Sequence, residues 1–222
     1  MSLGGSLIIP NEIDVKFLKE FKKMILKNSK KYNFIIVCGG GSIARKYIHA
    51  LRSIGVEEKL QNYSGISATR MNARFMNYFF DINPEQGIPQ RTRTVKKYIR
   101  TQAVIFCGAL EYRPNQTSDS TAAWLAKRFK THLINITNIK GLYDSNPLEN
   151  KNAKFISEIS WKEFNKMANK SKYTPGQHFV LDQTAARIIL EHKIPTYIVG
   201  KSSKEINNIL NNKKFTGTII KN

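Results

Sequence analysis

Short apolar runs alternate with amphipathic stretches along the chain. The runs have the length of buried strands, and the amphipathic stretches repeat apolar residues every three or four positions, as helices do. This alternation is typical of an α/β protein with a mainly parallel sheet. The predicted strands cover residues 1–3, 34–38, 103–107, 133–137, 196–199 and 218–220. The predicted helices cover residues 12–28, 42–54, 65–80, 118–129, 182–191 and 206–210.

The apolar period also predicts which faces of the first three helices turn inward. The inward residues are predicted to be Ile13, Phe17, Phe21 and Met24 or Ile25 in the first helix, Ile43, Tyr47, Leu51 and Ile54 in the second, and Met71, Phe75 and Phe79 in the third. Asn11 is the predicted N-cap of the first helix. Residues 81–100 are rich in proline and arginine, so we predict a loop with one short helix.

The chain is strongly basic, because 36 lysines and arginines stand against 16 acids for a net charge of +20 at pH 7. Such a field attracts anions, whether nucleic acid, acidic lipid or a phosphorylated small molecule. The lysines are scattered through predicted helices and turns, with no basic tail and no aromatic-interleaved motif. We therefore predict a solvated, lysine-rich surface rather than a nucleic-acid-binding stripe.

Nothing in the pattern indicates a membrane or secreted protein. No apolar run approaches the roughly 20 residues that cross a bilayer. The first six residues have neither the basic nor the long apolar region of a signal peptide. Cys38 and Cys107 have no metal or disulfide spacing, so we predict that both are small buried apolar residues. We expect a cytoplasmic protein without a resident metal.

Glycine or small polar residues follow four of the predicted strands. They are Gly4-Gly5-Ser6, Gly39-Gly40-Gly41-Ser42, Gly108-Ala109 and Thr137-Asn138-Ile139-Lys140-Gly141. Ligands of open α/β sheets bind at the carboxyl ends of the strands. Glycine lets backbone amides approach an anion, and the N-terminus of a following helix adds positive potential. One such turn is weak evidence, but four on one predicted sheet edge indicate a ligand site that suits an anion.

Residues 39–44 also match the loose dinucleotide fingerprint G-x-G-x-x-A. A dinucleotide-binding unit needs a second strand that ends in an acid about 20 residues further on. Glu57 and Glu58 stand near that distance, but residues 55–64 are polar and irregular, which disfavours a dehydrogenase. A P-loop of the form G-x-x-x-x-G-K-[ST] does not occur.

The sequence resembles the amino-acid-kinase superfamily and, within it, the archaeal-type UMP kinases, over nearly the whole chain. Residues 65–73 (GISATRMNA) point to UMP kinases in particular, and residues 114–119 (PNQTSD) resemble the Pro-Gly-x-Thr-Thr-Asp acceptor loop. The other similar pieces are residues 3–6 (LGGS), 38–48 (CGGGSIARKYI), 137–143 (TNIKGLY) with 146–147 (NP), 180–186 (VLDQTAA) and 217–220 (GTII).

The resemblance implies a three-layer αβα sandwich in a single domain of residues 1–222. The acceptor side would comprise roughly residues 1–130, and the ATP side roughly residues 131–222. It also implies an ATP-dependent kinase of pyrimidine biosynthesis that phosphorylates UMP, uses Mg²⁺ with ATP and assembles as a homohexamer.

The acceptor residues follow from the same resemblance. The predicted UMP contacts are Gly40, Gly41, Arg45, Asn62, Thr117 and Ser118. The planar guanidinium of Arg45 suits a phosphate. A cation in the first turn of a helix is unfavourable to the helix dipole, so an anion bound nearby would compensate it. Ser118 could instead simply cap its helix, with Asp119 as a dipole-compensating residue rather than a base.

Two further residues join Arg45 as predicted catalytic groups. Lys140 could contact the phosphate chain of ATP or be one of the many solvent-facing lysines of the chain. Asp182 is expected to orient cationic groups around the transferred phosphate, although it could also be a helix N-cap. Tyr143 could pack against adenine or within the core. The predicted ATP contacts are Gly4, Gly5, Ser6, Thr137, Asn138, Tyr143 and Asn146.

The chain departs from the family pattern at several of these positions. Ser2 stands where family members often carry a lysine, and Asn62 stands in place of a ribose-binding aspartate. Lys140 and Asn146 replace ATP-side aspartates. The loop of residues 109–113 is about two residues longer than in the family pattern and bears on base recognition. These departures concern rate and acceptor identity rather than fold.

Three alternatives remain at this point. The chain could be another kinase of the same superfamily, with a carboxylate, a carbamate or isopentenyl phosphate as acceptor. It could be a non-catalytic nucleotide or anion-binding protein, which the substituted acids would suit. It could also bind RNA, an alternative that only the net charge supports.

Overall fold

The computed structural model describes residues 1–113, 116–147, 149–170 and 180–222. The chain divides into two compact units, Met1–Ser118 and Asp119–Asn222. Helices alternate with strands in both units and most of the strand pairs are parallel, so the predicted α/β class is confirmed. No helix within the described ranges combines the length and the apolar character that spanning a membrane requires.

The first unit is built on parallel strands. Strand β2 lies between β1 and β3, with Ser2 opposite Val37 on one side and Phe34 opposite Val104 on the other. Its described strands are β1 (Ser2–Leu3), β2 (Phe34–Cys38) and β3 (Val104–Cys107). Its described helices are α1 (Gly5–Ile8), α2 (Val15–Asn28), α3 (Gly41–Ser53), α4 (Glu58–Phe79), a 3-10 helix (Pro84–Gln86) and α5 (Thr92–Tyr98).

The second unit contains mixed strands. Its described strands are β4 (Leu133–Ile136), β5 (Leu142–Tyr143), β6 (Phe155–Ile156), β7 (Glu158–Ser160), β8 (Thr196–Val199) and β9 (Thr218–Lys221). Its described helices are α6, which begins at the boundary residue (Ser118–Phe129), α7 (Trp161–Lys170), α8 (Gln183–Glu191) and α9 (Ser203–Leu210). Strand β4 is parallel to β8, β8 is antiparallel to β9, and β9 is parallel to β7. Strands β5 and β6 form an antiparallel hairpin.

Aromatic rings fill the core of the first unit. The Phe80 ring contacts Phe21 of α2 and Phe106 of β3, with ring centroids 6.3 and 4.7 Å apart. Cys38 and Cys107 end β2 and β3 and are buried. Burial raises the pKa of the Cys107 thiol to about 12 and also raises the pKa of Cys38. Both cysteines are therefore neutral apolar core residues, as predicted.

The predicted start of the first helix was wrong. Asp14, and not Asn11, caps α2, because its side chain accepts a hydrogen bond from the Phe17 amide at 3.1 Å. Ile13 precedes the helix and is 40% exposed. The rest of the predicted apolar stripe of α2 is buried.

The predicted inward face of the second helix was also wrong. None of the residues of α3 is fully buried, and Tyr47 and Ile54 are 53% and 75% exposed. The helix lies against α4 at Gly65, where a Cβ atom would sit 3.1 Å from the Cδ1 of Ile48. Since a neighbouring helix covers only a narrow strip, the other apolar residues of α3 stay accessible.

Helix α4 differs most from its prediction. It begins at Glu58, so residues 58–64 of the stretch predicted to be irregular (residues 55–64) are helical. Met71 is 66% exposed, and Phe75 and Phe79 are only half-buried. The buried strip consists mainly of small or polar residues: Gln61, Ile66, Ala68, Thr69, Asn72, Ala73, Met76 and Asn77. The prediction took the large apolar residues of α4 as its inward face, whereas this helix packs closely through its small residues.

Several elements were not predicted at all, namely α1, the β5–β6 hairpin, β7 and α7. The segment of residues 81–100 contains the 3-10 helix and α5 within a loop, close to its prediction. Helix α7 is fastened to the second unit by Trp161, whose indole nitrogen donates to the Ile194 carbonyl at 3.0 Å.

Candidate active site

Two glycine turns of the first unit pack main chain against main chain. A Cβ atom on Gly5 would lie 2.0 Å from the Gly41 nitrogen, and one on Gly39 would lie 2.5 Å from the Gly5 nitrogen. Gly41 has φ +63°. Any side chain at these positions would collide with backbone that cannot move aside. The structure thus packs Gly5 against Gly39 and Gly41, and this packing alone already requires glycine. Gly4 and Gly40 are their neighbours in the two turns, and a Cβ atom on Gly40 would lie 2.4 Å from the Cβ of Ala44.

The N-terminus of α3 opens at these turns. Its N-cap residue is Gly40, and no described side chain caps it or places an acid in its first turn. The first amides of a helix have no partner within the helix, and together with the helix dipole they favour an anion. The 13-residue helix α3 therefore presents an anion-binding end beside the glycine turns.

Buried polar contacts hold this end in place. The Asn72 amide of α4 donates to the Gly39 carbonyl at 2.7 Å, in a buried position. On the other side, the Ser42 hydroxyl donates to the Ile9 carbonyl at 3.2 Å. The turn after β2 is consequently fastened both to α4 and to the end of α1.

Arg45 is an exposed residue of α3 near this anion-binding end. It is the fifth helical residue, since α3 begins at Gly41, so it lies just beyond the first turn where the sequence had placed it. Its guanidinium is accessible to a phosphate bound at the N-terminus of the same helix.

The third glycine turn is held by α4 as well. A Cβ atom on Gly108 would lie 2.5 Å from the Thr69 hydroxyl oxygen, which accepts a hydrogen bond from the Ala109 amide at 2.9 Å. Arg70 donates to the carbonyl of Ala109 at 3.3 Å and to the carbonyl of Leu110. Burial lowers the pKa of the Arg70 guanidinium, which still leaves it charged at neutral pH.

The remaining acceptor-side residues lie on helices or beside them. Asn62 is half-buried in α4. Thr117 and Ser118 are half-buried, and Ser118 is the first residue of α6. Pro114 and Asn115, which begin the predicted acceptor loop, lie outside the described residues.

The predicted ATP-side residues of the second unit follow β4. The Thr137 hydroxyl donates to the Asn138 side-chain oxygen at 3.2 Å, and Asn138 and Lys140 are exposed. Tyr143 is half-buried in β5 and meets Phe155 edge to face, with ring centroids 5.5 Å apart. Asn146 is half-buried in the turn that follows β5. Unlike the packed glycines of the first unit, these residues place polar and aromatic side chains in the turn after β4 and in the hairpin that follows it.

Asp182 connects the starts of two helices. One carboxylate oxygen accepts from the Ala185 amide at 2.8 Å and so caps α8, as one of its two predicted roles requires. The other oxygen accepts from the Ser120 amide of α6 at 3.1 Å. The Ser120 hydroxyl donates to the same carboxylate at 2.7 to 2.8 Å. The carboxylate therefore holds the first turn of α6 in register with α8.

Sequence reasoning assigned no role to Thr69, Arg70 and Asn72, although all three lie in the GISATRMNA stretch. They are the side chains that tie α4 to the glycine turns. The recurrence of small or polar residues every three or four positions along α4 was the signal that could have found this face. Asp144 was also missed: the Lys154 amide, which donates to it at 2.9 Å, lowers the pKa of its carboxyl and closes the β5–β6 hairpin.

Comparison with known proteins adds a family and a set of relatives. Residues 1–200 match the model of the amino acid kinase family. A protein of Thermococcus kodakarensis named uridylate kinase is 33% identical over 200 residues, which cover 90% of this chain and 88% of the relative. A uridylate kinase of Thermoplasma volcanium is 35% identical over 222 residues, which cover 99% of this chain and 96% of the relative.

A solved structure agrees with these relatives. The crystal structure of uridylate kinase from Archaeoglobus fulgidus superposes with a TM-score of 0.83 at 30% identity. The match covers 99% of this chain and 97% of that chain. The UMP kinase structure from Ureaplasma parvum, at 22% identity and a TM-score of 0.76, is similar in fold.

Proposed function

The chain belongs to the amino acid kinase family, and we propose from this membership that it transfers the γ-phosphate of ATP to UMP and so forms UDP. The observation that carries the proposal is the similarity to proteins named uridylate kinase over nearly the full length of both chains. No contact among the described residues favours a carboxylate, carbamate or isopentenyl phosphate acceptor, a non-catalytic role or RNA binding.

We assign the acceptor to residues of the first unit. The uncapped N-terminus of α3 would hold the phosphate of UMP through the amides of Gly40 and Gly41, with Arg45 as its cation. Asn62 would donate or accept a hydrogen bond at the ribose, without the charge of an aspartate. Thr117 and Ser118 would offer hydroxyls. The turn of Gly4, Gly5 and Ser6, packed on the turn after β2, would add further amides for phosphate groups.

We assign ATP to residues of the second unit. Thr137, Asn138 and Asn146 would hydrogen-bond the nucleotide, and the accessible part of Tyr143 would pack against adenine. Exposed Lys140 would reach the phosphate chain. Support comes from their common position, in the turn after β4 and the hairpin that follows it.

Phosphoryl transfer between two bound nucleotides needs alignment and positive charge rather than a covalent intermediate. The transferred group carries spread negative charge, so cations and amides must surround it. Ser2, which stands where family members often carry a lysine, is 1% exposed on β1 and has no cationic side chain. We therefore propose that Lys140 and Arg45 supply the charge, and that Asp182 is a positioning residue that keeps the first turn of α6 in place.

Mg²⁺ would accompany ATP. Such ions are commonly held by one or two carboxylates together with substrate phosphates. Among the described residues, no group of three or more His, Cys, Asp and Glu side chains could hold a metal ion. These residues suit an ion that arrives on the phosphates of ATP, where it would neutralise developing charge.

We also propose that the protein is a cytoplasmic homohexamer that acts in pyrimidine biosynthesis. The support for assembly is the surface of α4, where Met71 and Tyr78 are 66% and 49% exposed. Exposed large apolar groups on one helix are typical of subunit interfaces. Light scattering at micromolar concentration should show an oligomer that Met71→Lys weakens, and a monomer in the unaltered protein would contradict the assembly.

A coupled assay of ADP release tests the activity. The purified protein, with Mg²⁺ and ATP, should turn over UMP in preference to CMP and AMP. The absence of turnover with UMP, or equal turnover of AMP, would overturn the proposed acceptor. Tight nucleotide binding without any turnover would instead indicate a non-catalytic member of the family.

A further inference from the structure

We propose that Tyr63 and Tyr112 form the wall against which the base of the acceptor nucleotide lies, and that this ring pair selects a pyrimidine over a purine. The inference rests on the proposed function and adds to it a specificity element that the sequence had not singled out. The two rings are stacked, with centroids 5.1 Å apart and an angle of 27° between their planes.

The length of α4 brings Tyr63 to the ligand-binding edge. Helix α4 has 22 residues and is about 33 Å long, whereas β2 has five residues and spans about 17 Å. Thr69 and Asn72 contact the backbone that follows β3 and β2, so they mark the level where the strands end. The N-terminal part of α4 therefore extends beyond the carboxyl edge of the strands, where ligands of α/β proteins bind.

A nucleotide whose phosphate lies at the N-terminus of α3 would extend along α4 toward the N-terminus of that helix. Toward the C-terminus, the face of α4 that carries Asn72, Ala73 and Met76 is buried. Toward its N-terminus Asn62 is half-buried and Tyr63 is 43% exposed. From Asn72 to Tyr63 the helix rises about 13 Å, a distance suited to a nucleotide with its phosphate at one end and its base at the other.

The segment after β3 carries Tyr112 to the same place. In this segment the Ala109 amide donates to the Thr69 hydroxyl, and the carbonyls of Ala109 and Leu110 accept from Arg70. Three residues further on, Tyr112 meets Tyr63. The segment thus runs back along α4 toward the N-terminus of the helix, and it includes the stretch that is longer than in the family pattern.

These contacts make the ring pair a fixed wall. The charged hydrogen bonds of Arg70 to two successive main-chain carbonyls hold the segment, since charge-assisted bonds are the stronger kind. Tyr63 keeps much of its surface accessible in spite of the stack, so the pair is not simply core. An aromatic face stabilises a stacked base. A wall held in this way would also limit the space for the larger ring system of a purine.

Steady-state kinetics on the full-length enzyme test the wall. Tyr112→Ala should raise the KM for UMP roughly tenfold, the scale of one lost base stack, and should narrow the preference for UMP over AMP. The KM for ATP should stay constant. Tyr112→Phe keeps the ring and should behave like the unaltered enzyme. Tyr63→Ala should resemble Tyr112→Ala.

The matched control is Tyr32→Ala. Tyr32 is also half-buried and also contacts an aromatic ring, that of Phe34 at 6.3 Å, but it precedes β2 at the opposite edge of the strands. The Tyr32→Ala variant should keep the KM for UMP of the unaltered enzyme, and its melting temperature should fall about as much as that of Tyr112→Ala.

The outcomes separate the wall from the proposed function. The unaltered enzyme could phosphorylate UMP while both alanine variants keep its KM for UMP and its preference for UMP over AMP. That result would contradict the proposed wall and leave the proposed function standing. If both variants lose kcat with every substrate, in step with their melting temperatures, the ring pair is only structural. If the unaltered enzyme phosphorylates no nucleoside monophosphate, both proposals fall.

Discussion

The turns that follow the strands differ between the two units in what they offer a phosphate. In the first unit Gly5, Gly39 and Gly41 are pressed together so closely that only main chain fits. In the second unit the turn after β4 carries exposed Asn138 and Lys140, and its glycine, Gly141, packs against Thr218 of β9. One region can present amides, whereas the other presents side chains.

This difference implies that the two regions tolerate substitution differently. The backbone amides of the glycine turns are positioned by the packing of the main chain, so a substitution at these glycines should lower stability and activity together. Exposed side chains contribute little to folding, so their replacement should change activity alone. Single substitutions in each region, compared with matched controls, test this contrast.

Gly5→Ala should be the most damaging change. Its methyl group would meet the Gly41 nitrogen at 2.0 Å, so backbone must move, at a cost of about 3 kcal/mol or more. Thermal unfolding followed by circular dichroism should show a melting temperature lower by roughly 6–12 °C. Gly55→Ala is the control, because Gly55 has φ +74° but no atom within 4 Å of its added Cβ. It should cost only about 1–2 kcal/mol, and an equal loss in both variants would contradict the close packing.

Lys140→Met should lower kcat by roughly 10²-fold, about 2.7 kcal/mol of transition-state stabilisation, and leave the melting temperature unchanged. The reason is that methionine keeps most of the stem and removes the charge. Lys213→Met, at another exposed lysine, should change neither quantity. A rise in the KM for ATP alone would assign Lys140 to ground-state binding, and no change would leave it a surface charge.

Arg45→Lys should weaken the use of UMP by about 1.5–3 kcal/mol in kcat/KM, the scale of one hydrogen bond to a charged group. Lysine keeps the charge but lacks the planar fork. Arg52→Lys, toward the other end of the same helix, is the control and should have no effect on UMP. Unchanged kinetics in Arg45→Lys would remove it from the acceptor site.

Asp182→Asn should lower the free energy of unfolding by about 1–2 kcal/mol. It would differ in this from replacements of the exposed side chains of the second unit, which should leave stability unchanged. Asparagine caps helices as well as aspartate does, but its amide group would face the Ser120 amide, so that a donor meets a donor. Ser202→Asn is the control, since Ser202 caps α9 alone, through the Glu205 amide. A stability of Asp182→Asn equal to that of Ser202→Asn would show that the link to α6 contributes nothing.

Sequence reasoning succeeded where local chemistry decides. The glycine turns after β1, β2 and β3 were found because a strand followed by glycine is a local signal, and Asp182 was recognised as a candidate N-cap. It failed on α3 and α4, where Tyr47, Ile54 and Met71 were predicted inward and are exposed. An apolar period shows that a helix has a face, but it does not show what that face packs against.

Local sequence patterns were thus sufficient to predict the α/β class, the order of the main elements and the turns that carry the candidate chemistry. These features depend on periodicity, on capping and on glycine, which act within a few residues. The contacts of Asn72, Thr69 and Arg70 with the glycine turns, and that of Tyr63 with Tyr112, became visible only in the folded chain. These partners lie between 33 and 49 positions apart in the sequence. The packing of α4 against the strands brings them within reach, and no local pattern encodes that packing.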